Sequence, residues 1–359
     1  MATGRDGHTA TLLADGKVLM AGGTDPRKPF GDLPSAELYD PTTGTFTATA
    51  RMTTYRAFHT ATLLANGNVL LAGGDEGDSP IESAELYDPG TGTFRPTGGT
   101  ENASRGRAAV AATYLTNGTV LATMREYERS DSDRAVVYDP SVSMFRATGN
   151  MTTSRAGTAT LLSTGEVLTA GFSTAAGPYG GGHPSADLYD SATGSFSVTG
   201  ELATPRFGHA ATLLLDGTVL LSGGSVSTWT STTLASAELY HPARSLPPAV
   251  LFSISGTVRG SGAILHADTH ELVSAANPAV AGEALEIYAA GLVNGAVIPP
   301  QLAIGGRMAE VMYFGEAPGY VGLNQVNVRV PSGIGPGSEV RVRMTYLGRP
   351  TNEVTIAVR

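Results

Sequence analysis

The sequence of 359 residues contains no cysteine, which excludes disulfides, thiolate metal sites and cysteine nucleophiles. Lysine is almost as scarce, since Lys17 and Lys28 are the only two. Acidic residues outnumber basic residues by 32 to 23, and the net charge is −9. This balance argues against nucleic-acid binding through bulk charge.

Long apolar runs are also lacking. No run reaches the roughly 18 residues of a membrane span, and residues 1–7 lack the basic and apolar regions of a signal peptide. We therefore expect a soluble chain without a membrane span. Hydrophobic residues, at 41%, are too many for a disordered chain. Glycine and proline together make up about 19% of the sequence, which predicts a turn-rich fold built from sheet.

A motif returns five times between residues 5 and 242. Its first copy reads RDGHTATLLADGKVLMAGG, then a variable segment, then SAELYDPTTGTF. A threonine near the start marks each copy, with spacings of 51, 51, 47 and 52 residues: Thr11, Thr62, Thr113, Thr160 and Thr212. A period of this length is typical of repeat folds.

Each copy predicts four short strands, which in the first copy are HTATLL, KVLMAGG, AELYD and TFTATA. The first turn, Asp15-Gly16, predicts a two-residue hairpin, because such dipeptides favour positive φ. In the third turn, DPTTG, Asp should cap its own backbone and Gly should be left-handed. A meander with two apolar faces must stack on its neighbours. The predicted fold is all-β, with a five-bladed β-propeller over residues 1–248.

The motif resembles the kelch repeat. The shared pattern is an Arg, a His three residues later, a strand that ends in a Gly pair, then a Tyr and an aromatic residue. In the first copy these residues are Arg5, His8, Gly22, Gly23, Tyr39 and Phe46. Kelch repeats usually carry Trp where this sequence has Phe, and the third and fourth copies lack the Gly pair. The resemblance implies a propeller, a fold that hosts many functions.

The number of blades is a separate question, because kelch propellers have six or seven blades more often than five. The fifth copy ends at His241-Pro242 without a fourth strand. Residues 250–255, VLFSIS, are a candidate for that strand and would close a five-bladed ring. The alternative is that upstream blades and a signal peptide were removed.

The segment ARSLPPA, residues 243–249, predicts a linker. Seven or so short strands then predict an immunoglobulin-like sandwich over residues 249–359. The phrases NPAVAGEALEIYAAGL and TNEVTIAV resemble a C-terminal domain of secreted proteins of soil Acidobacteria, similar to IPT/TIG modules. This resemblance implies an extracellular or periplasmic protein.

An arginine precedes the innermost strand of each copy, on the face that also carries the variable loops. The five are Arg5, Arg56, Arg107, Arg155 and Arg206. Arginines at this position can line the pocket mouth of kelch proteins, so the resemblance implies a cationic rim. The expected ligand is then anionic, such as a uronate, a sialate, a sulfated glycan or an acidic peptide.

A structural role for these arginines is the alternative. Four copies carry an acid in the third strand, which suits an ion pair or a backbone clamp between blades: Glu37, Glu85, Asp187 and Glu238. The third copy has Val136 at this place. Arg107 is therefore the arginine most available to a ligand.

Three histidines share one repeat position, which favours a structural hydrogen bond over catalysis: His8, His59 and His209. His183 lies in the predicted variable loop PYGGGHPS together with Tyr179. These two are the candidate catalytic residues, with His183 as the acid–base group. Tyr127 and Trp229 lie in other predicted loops of this face, where aromatic rings can stack on sugars.

His266 and His270 have the spacing of a helical metal-binding pair. Their segment, HADTH, reads as strand and turn, where this spacing does not bring side chains together. We therefore predict no metal site and no cofactor. Copper-radical oxidases built on kelch propellers need a Cys crosslinked to Tyr, so the absence of cysteine excludes that chemistry. A GxSxG nucleophile elbow is absent as well.

Three functions are consistent with this sequence. The favoured hypothesis is an exported, non-catalytic protein that binds a glycan or a surface or matrix partner through the variable loops. A carbohydrate-active enzyme, such as a mutarotase or a lyase, is the alternative and would use the same face. The third is a purely structural surface or assembly module.

Overall fold

The computed structural model describes residues 1–27, 31–77, 79–99, 107–126, 134–152, 157–173, 182–226, 232–243, 248–256, 259–292, 299–347 and 349–359. At some strand ends, including Arg107 and His183, only the backbone is described. Every regular element in these residues is a β-strand. The chain forms two compact units, the first built from most of residues 1–241 and the second mainly from residues 242–359.

The described residues of the first unit form 21 strands, grouped here by repeat copy. The first copy contains β1 (Thr9–Leu12), β2 (Val18–Ala21), β3 (Ala36–Asp40) and β4 (Thr45–Ala48). The second contains β5 (Thr60–Leu63), β6 (Val69–Ala72), the short pair β7 (Asp75–Glu76) and β8 (Ser79–Pro80), then β9 (Ala84–Asp88) and β10 (Thr93–Thr97). The third contains β11 (Arg107–Tyr114), β12 (Val120–Glu126), β13 (Arg134–Asp139) and β14 (Met144–Asn150). The fourth contains β15 (Thr158–Leu161), β16 (Val167–Ser173), β17 (Gly182–Asp190) and β18 (Ser195–Glu201), and the fifth contains β19 (Ala210–Leu213), β20 (Val219–Ser222) and β21 (Ala237–Tyr240).

Each of the first four copies forms the predicted four-stranded antiparallel meander, or blade. The repeat tyrosine of the third strand lies opposite the repeat phenylalanine of the fourth, as in Tyr39 and Phe46. Their ring centroids are 4.8 Å apart. The same pairing recurs in blades 2, 3 and 4, so this aromatic contact holds the outer strand to the sheet.

The turns follow the sequence in part. Thr42 donates its backbone N–H to the Asp40 carboxylate at 2.8 Å, and Gly44 has φ 69°, which confirms the prediction for the third turn. The prediction of a two-residue first turn is wrong. Leu13 N–H donates to Lys17 C=O across a three-residue loop in which Gly16 alone has positive φ. A single left-handed glycine suits the three-residue hairpin.

The blades stack in chain order, and their innermost strands β1, β5, β11, β15 and β19 are successive neighbours. Apolar residues of consecutive blades share one core, as where Leu19 and Ala36 of blade 1 meet Val69 and Leu71 of blade 2. A hydroxyl bond accompanies the stacking, because a fourth-strand threonine bonds the repeat tyrosine of the next blade. This is the five-blade propeller arrangement that the repeat predicts.

The fifth blade has three strands among the described residues. The suggestion that residues 250–255 supply its fourth strand is wrong. Residues 250 and 251 form β22 (Val250–Leu251) and pair with a strand of the second unit. Apolar alternation alone did not identify the partner, because a short strand pairs equally well with any free edge of suitable register.

In the second unit, the described residues form seven further strands after β22. They are β23 (Ile264–His266), β24 (Ala284–Ala290), β25 (Gln301–Ile304), β26 (Arg307–Glu316), β27 (Asn324–Arg329), β28 (Gly337–Tyr346) and β29 (Arg349–Val358). They form one antiparallel sheet in the order β22-β24-β27-β26-β25-β28-β29, with β23 also beside β24.

This sheet curls until its two edge strands are neighbours. The Asn352 side chain in β29 accepts from Leu251 N–H at 2.7 Å and donates to Leu251 C=O at 2.9 Å. One apolar core fills the interior, including Ile287, Val326 and Val342. The described strands of this unit thus form one nearly closed β-sheet. No described helix is long and apolar enough to cross a membrane.

Candidate functional site

The variable-loop face of the propeller is defined here by the segments that precede the innermost strands and the loops that follow the second strands. The two sets of segments touch through isolated bridges, Asp6 with Thr24 and Ala57 with Asp75. A third bridge joins Phe207 to Ser225. These backbone contacts extend blades 1, 2 and 5 beyond their Gly pairs and give this part of the face an ordered base.

The repeat arginines lie inside this base. Arg56 Nη1 donates to the C=O groups of Gly73 and Ser83 at 2.9 and 2.8 Å, and its Nε lies 3.0 Å from the Glu85 carboxylate. The arginines of blades 1 and 5, Arg5 and Arg206, make equivalent contacts. Each guanidinium therefore joins three strands or strand ends within one blade, and not two neighbouring blades.

The carboxylate that pairs with each arginine also accepts hydrogen bonds from backbone N–H groups. Glu37 accepts the backbone N–H of Ala2 at 2.7 Å, as well as the Arg5 guanidinium at 2.9 Å. Burial raises the pKa of Glu37, but these donors outweigh it and the net pKa is lowered. In Arg56, burial lowers the pKa of the guanidinium, although Glu85 opposes the shift.

These contacts bear on the expected cationic rim. The side chains of Arg5, Arg56 and Arg206 are fully buried. Their Nη atoms donate to oxygens of the chain itself, and the Nε atoms of Arg5 and Arg206 are buried without a hydrogen-bond partner among the described residues. The three guanidiniums therefore present little to a ligand. This geometry fits a structural role for these arginines, in which each ion pair lies within one blade and not between two blades. Arg155 lies outside the described residues, and Arg107 begins β11 with only its backbone described.

The repeat histidines take part in stacking. His59 Nε2 lies 2.9 Å from Thr9 Oγ1 of the preceding blade, and His209 Nε2 lies 3.2 Å from Thr158 Oγ1. Burial lowers the pKa of His59 to about 3, and the nearby Arg56 adds to the shift. Burial likewise lowers the pKa of His209 to about 4. Both rings are neutral at pH 7 and serve the structure.

The predicted catalytic pair is only partly within the described residues. His183 lies in β17 opposite Phe172 of β16, so its backbone is strand and not the loop expected from the sequence. Tyr179, Tyr127 and Trp229 lie outside the described residues. Their roles stay predictions.

The histidines of HADTH engage different acids. His266 Nδ1 lies 2.5 Å from Glu283, whereas His270 Nδ1 lies 3.1 Å from Glu286. His270 sits in the turn after β23 with φ 55°. Within the described part of the chain, no group of three or more His, Asp or Glu side chains is placed to hold a metal ion.

Phe58 is the most unusual residue of the variable-loop face. Its side chain is 62% exposed and its φ is 55°, in the left-handed region that L-residues avoid. Blades 1 and 5 carry glycine at this repeat position, Gly7 and Gly208, with φ of 60° and 63°. Phe58 therefore keeps a glycine conformation while presenting a bare aromatic ring to solvent.

The surroundings of Phe58 are polar and tightly fitted. Its backbone N–H donates to Gly7 C=O at 2.7 Å, and a Cβ on Gly7 would lie 2.8 Å from the Phe58 ring. Asp6, beside Gly7, is exposed and accepts the Gly7 N–H at 2.9 Å. Tyr55, three residues before Phe58, is also exposed. The set provides aromatic faces next to a carboxylate at the boundary of blades 1 and 2.

Described residues of this face carry exposed charges of both signs. Asp6 and Glu76 are exposed acids, Arg51 is an exposed cation, and Arg27 is paired with Asp25 at 3.0 Å. The sequence did carry a signal for Phe58, since a large aromatic residue replaces glycine at one place in the repeat. That signal is visible only when the blades are aligned at the turn before the innermost strand.

The second unit has a separate groove of about 440 Å³, with Gly305, Ile334 and two exposed arginines among its lining residues. Arg341 and Arg343 both pair with the carboxylate of Glu353 on the neighbouring strand. One carboxylate shared by two guanidiniums leaves the groove weakly cationic. Exposed pairs of this kind contribute little to stability.

No family model matches the chain, and no curated protein is similar to it in sequence. Among solved structures, YjhT is 14% identical with a TM-score of 0.53, and the match covers 67% of this chain and 82% of YjhT. A fungal alcohol oxidase of the AA5 family, in complex with copper, is 15% identical with a TM-score of 0.48, over 98% of this chain and 85% of the oxidase. The likeness to YjhT supports the multi-blade β-propeller and carries no function.

Proposed function

We propose that this chain is a non-catalytic binding protein that recognises a glycan through the variable-loop face, with Phe58 as the stacking surface. The observation that carries the proposal is the exposed ring of Phe58 at a left-handed backbone position. Strained residues of this kind persist where the surroundings fix them, and they cluster at binding sites. The strain costs about 1–2 kcal/mol, which a purely structural loop would avoid by keeping glycine.

The chemistry next to the ring favours a hydroxyl-rich ligand of low negative charge. A sugar ring can stack its C–H face on Phe58, while the Asp6 carboxylate accepts hydrogen bonds from hydroxyls. The buried guanidiniums of the three described arginines are engaged by Glu37, Glu85 and Glu238. Neutral glycans are therefore preferred to uronates or sulfated glycans in this proposal.

The wider setting belongs to the same proposal. The repeat pattern supports a kelch-type propeller, and the strand content of the second unit supports an immunoglobulin-like relative of the IPT/TIG modules. The resemblance of that region to secreted proteins supports an exported protein located outside the cytoplasm. Arg107, Arg155, Tyr127 and Trp229 remain proposed contributors to the ligand surface.

The test is glycan-array binding by the full chain and by the variant Phe58→Gly, over neutral and acidic glycans. We expect binding to neutral glycans that falls at least tenfold in the variant, a loss of about 1.4 kcal/mol. The variant should be as stable as the parent or more so, because glycine adopts φ 55° without strain. Tyr320→Gly, which removes an exposed aromatic residue of the second unit, is the matched control and should bind like the parent.

Two results would overturn the proposal. Unchanged binding by Phe58→Gly would remove Phe58 from the site. Turnover of a bound sugar would favour the carbohydrate-active enzyme, and the variants His183→Ala and Arg107→Ala would then be the ones to lose activity.

A further inference from the structure

The groove of the second unit lies beside the turn between β25 and β26. Ile304 and Arg307 pair across this turn, and the two residues between them, Gly305 and Gly306, have φ of 60° and 79°. A Cβ on Gly305 would lie 2.7 Å from Ile334 Cγ2, so Ile334 packs directly on the backbone of the turn. A Cβ on Gly306 would meet no described atom within 4 Å, so Gly306 borders open space. The turn and Ile334 therefore form a flat, apolar wall of the groove.

The strand β28 forms the opposite wall. Its residues Val342 and Met344 are buried in the core, whereas Arg341 and Arg343 lie on the outer side, because successive side chains of a strand alternate. The two arginine side chains are 67% and 64% exposed, and their Cα atoms lie about 7 Å apart along the strand. Among the described residues that line the groove, these two alone are charged. The groove thus combines an apolar wall with a wall of two guanidiniums.

Both guanidiniums reach the same carboxylate, and both do so through Nε. Arg341 Nε lies 3.3 Å from Glu353 Oε1, and Arg343 Nε donates to Glu353 Oε2. The four Nη atoms make no hydrogen bond within the described chain. The hydrogen bond from Arg343 is the main cause that lowers the pKa of Glu353, and the charges of Arg343, Arg341 and Arg259 add to it. One acid therefore faces an excess of positive charge.

These donors suit a second carboxylate. An exposed ion pair is held weakly, so Glu353 does not prevent the arginines from engaging another anion. A guanidinium matches a carboxylate with two parallel N–H donors, and its plane also stacks on aromatic rings. The groove volume of about 440 Å³ lies within the range of small-molecule sites. An inorganic anion would leave the apolar wall uncovered, and a neutral ring would leave the Nη donors unpaired.

From the free Nη donors and the apolar wall we propose that this groove binds a small aromatic carboxylate. The carboxylate lies between the Nη groups of Arg341 and Arg343, and the ring lies against Gly306 and Ile334. This site is separate from the glycan surface at Phe58, and neither proposal depends on the other.

The test is isothermal titration calorimetry of the full chain with three probes. Trans-cinnamate carries both the ring and the carboxylate, trans-cinnamamide keeps the shape without the charge, and sulfate has charge without a ring. We expect cinnamate to bind about tenfold more tightly than either of the other two, since each of them lacks one of the two contacts. Absence of cinnamate binding would overturn the proposal, as would equal affinity for cinnamamide. Sulfate that binds as tightly as cinnamate would mean an adventitious ion only.

The variant Arg343→Gln removes one guanidinium and should weaken cinnamate binding about tenfold. Its matched control is Arg329→Gln, which makes the same change at an exposed arginine paired with Glu310, on β27 and β26. The control should bind cinnamate like the parent. Equal weakening in the two variants would show that the effect is one of overall charge and would overturn the site.

Two further variants change the groove while both arginines stay in place. Glu353→Gln keeps an acceptor oxygen but removes the competing charge, so cinnamate should bind about threefold more tightly. Gly335→Phe adds a ring at a lining position where a Cβ meets no described atom within 4 Å, and it should abolish binding. Weaker binding by Glu353→Gln would contradict the proposal, as would unchanged binding by Gly335→Phe. Phe58→Gly should bind cinnamate like the parent, so that a failure of glycan recognition and a failure of this site are separate results.

Discussion

Arg56 and Phe58 are two residues apart in blade 2 and differ in every physical respect. Arg56 is fully buried, bonded to Glu85 and to two backbone carbonyls, and its position is an arginine in every copy of the repeat. Phe58 is exposed and strained, and blades 1 and 5 carry glycine there. In this propeller the repeated residues hold the blades, and the residue that we propose for the ligand surface is one that departs from the repeat.

The strongest test of the structural role of Arg56 is the variant Arg56→Met. The change leaves the buried Glu85 without its cation, and removal of one partner from a buried ion pair costs about 3–5 kcal/mol. Chemical denaturation of the propeller should show this loss. Arg329→Met, which removes an exposed ion pair with Glu310 in the second unit, is the control and should leave the midpoint of the propeller nearly unchanged. An equal midpoint for Arg56→Met and the parent would contradict a structural role.

Close packing between blades can be tested with two glycines of similar φ. Gly22→Ala sets a Cβ 2.4 Å from the backbone oxygen of Arg56, so strain and overpacking should together cost about 2 kcal/mol or more. Gly223→Ala brings no such contact and meets the strain alone, about 1 kcal/mol. Thermal unfolding of both variants measures the difference. Identical losses would mean that the close contact at Gly22 is not formed in solution.

Acid should weaken the blade junctions through His59 and His209. Their pKa values are lowered to about 3 and about 4 in the folded protein, so the unfolded chain binds more protons below pH 6.5. The contribution of these two neutral histidines to the free energy of unfolding is fully present above pH 6.5. It is lost as the pH drops towards these values, by about 2 kcal/mol per histidine at pH 5. Chemical denaturation at pH 7 and pH 5 measures the free energy of unfolding. Between these two pH values it should fall less for His59→Gln than for the parent. In the control His241→Gln, which replaces an exposed histidine, the free energy of unfolding should fall as much as in the parent.

The smallest expected effect separates two tyrosines at one repeat position. Tyr87→Phe removes a buried hydroxyl that bonds Thr49 at 3.2 Å, for a loss of about 1 kcal/mol. Tyr39→Phe should change the denaturation midpoint little, since the Tyr39 hydroxyl has no partner in the described chain. Equal losses would show that the Tyr39 hydroxyl is hydrogen-bonded in solution.

Much of the fold was open to prediction because it depends on local chemistry. The Asp of DPTTG predicts its own turn, and the alternation of AELYD predicts a strand opposite TFTA, since both follow from neighbours in sequence. The partner of residues 250–251 was not open to prediction, because pairing with β24 depends on which edge is free. The candidate site was predicted as a face. The sequence placed the repeat arginines at this site, whereas the described site residue is Phe58. The difference arises because the packing of three strand ends buries the arginines.

The sequence by itself determined the meander, its period and the stacking of its copies, because a unit with two apolar faces has one way to remove both from water. Only the tertiary structure decided which polar groups became buried and hydrogen-bonded within the blades. An arginine and a carboxylate 29 residues apart have no local signal for their meeting, and the left-handed conformation of Phe58 is imposed by the blade around it. Charge and exposure at the variable-loop face are therefore properties of the assembled blades, and not of the repeat as written.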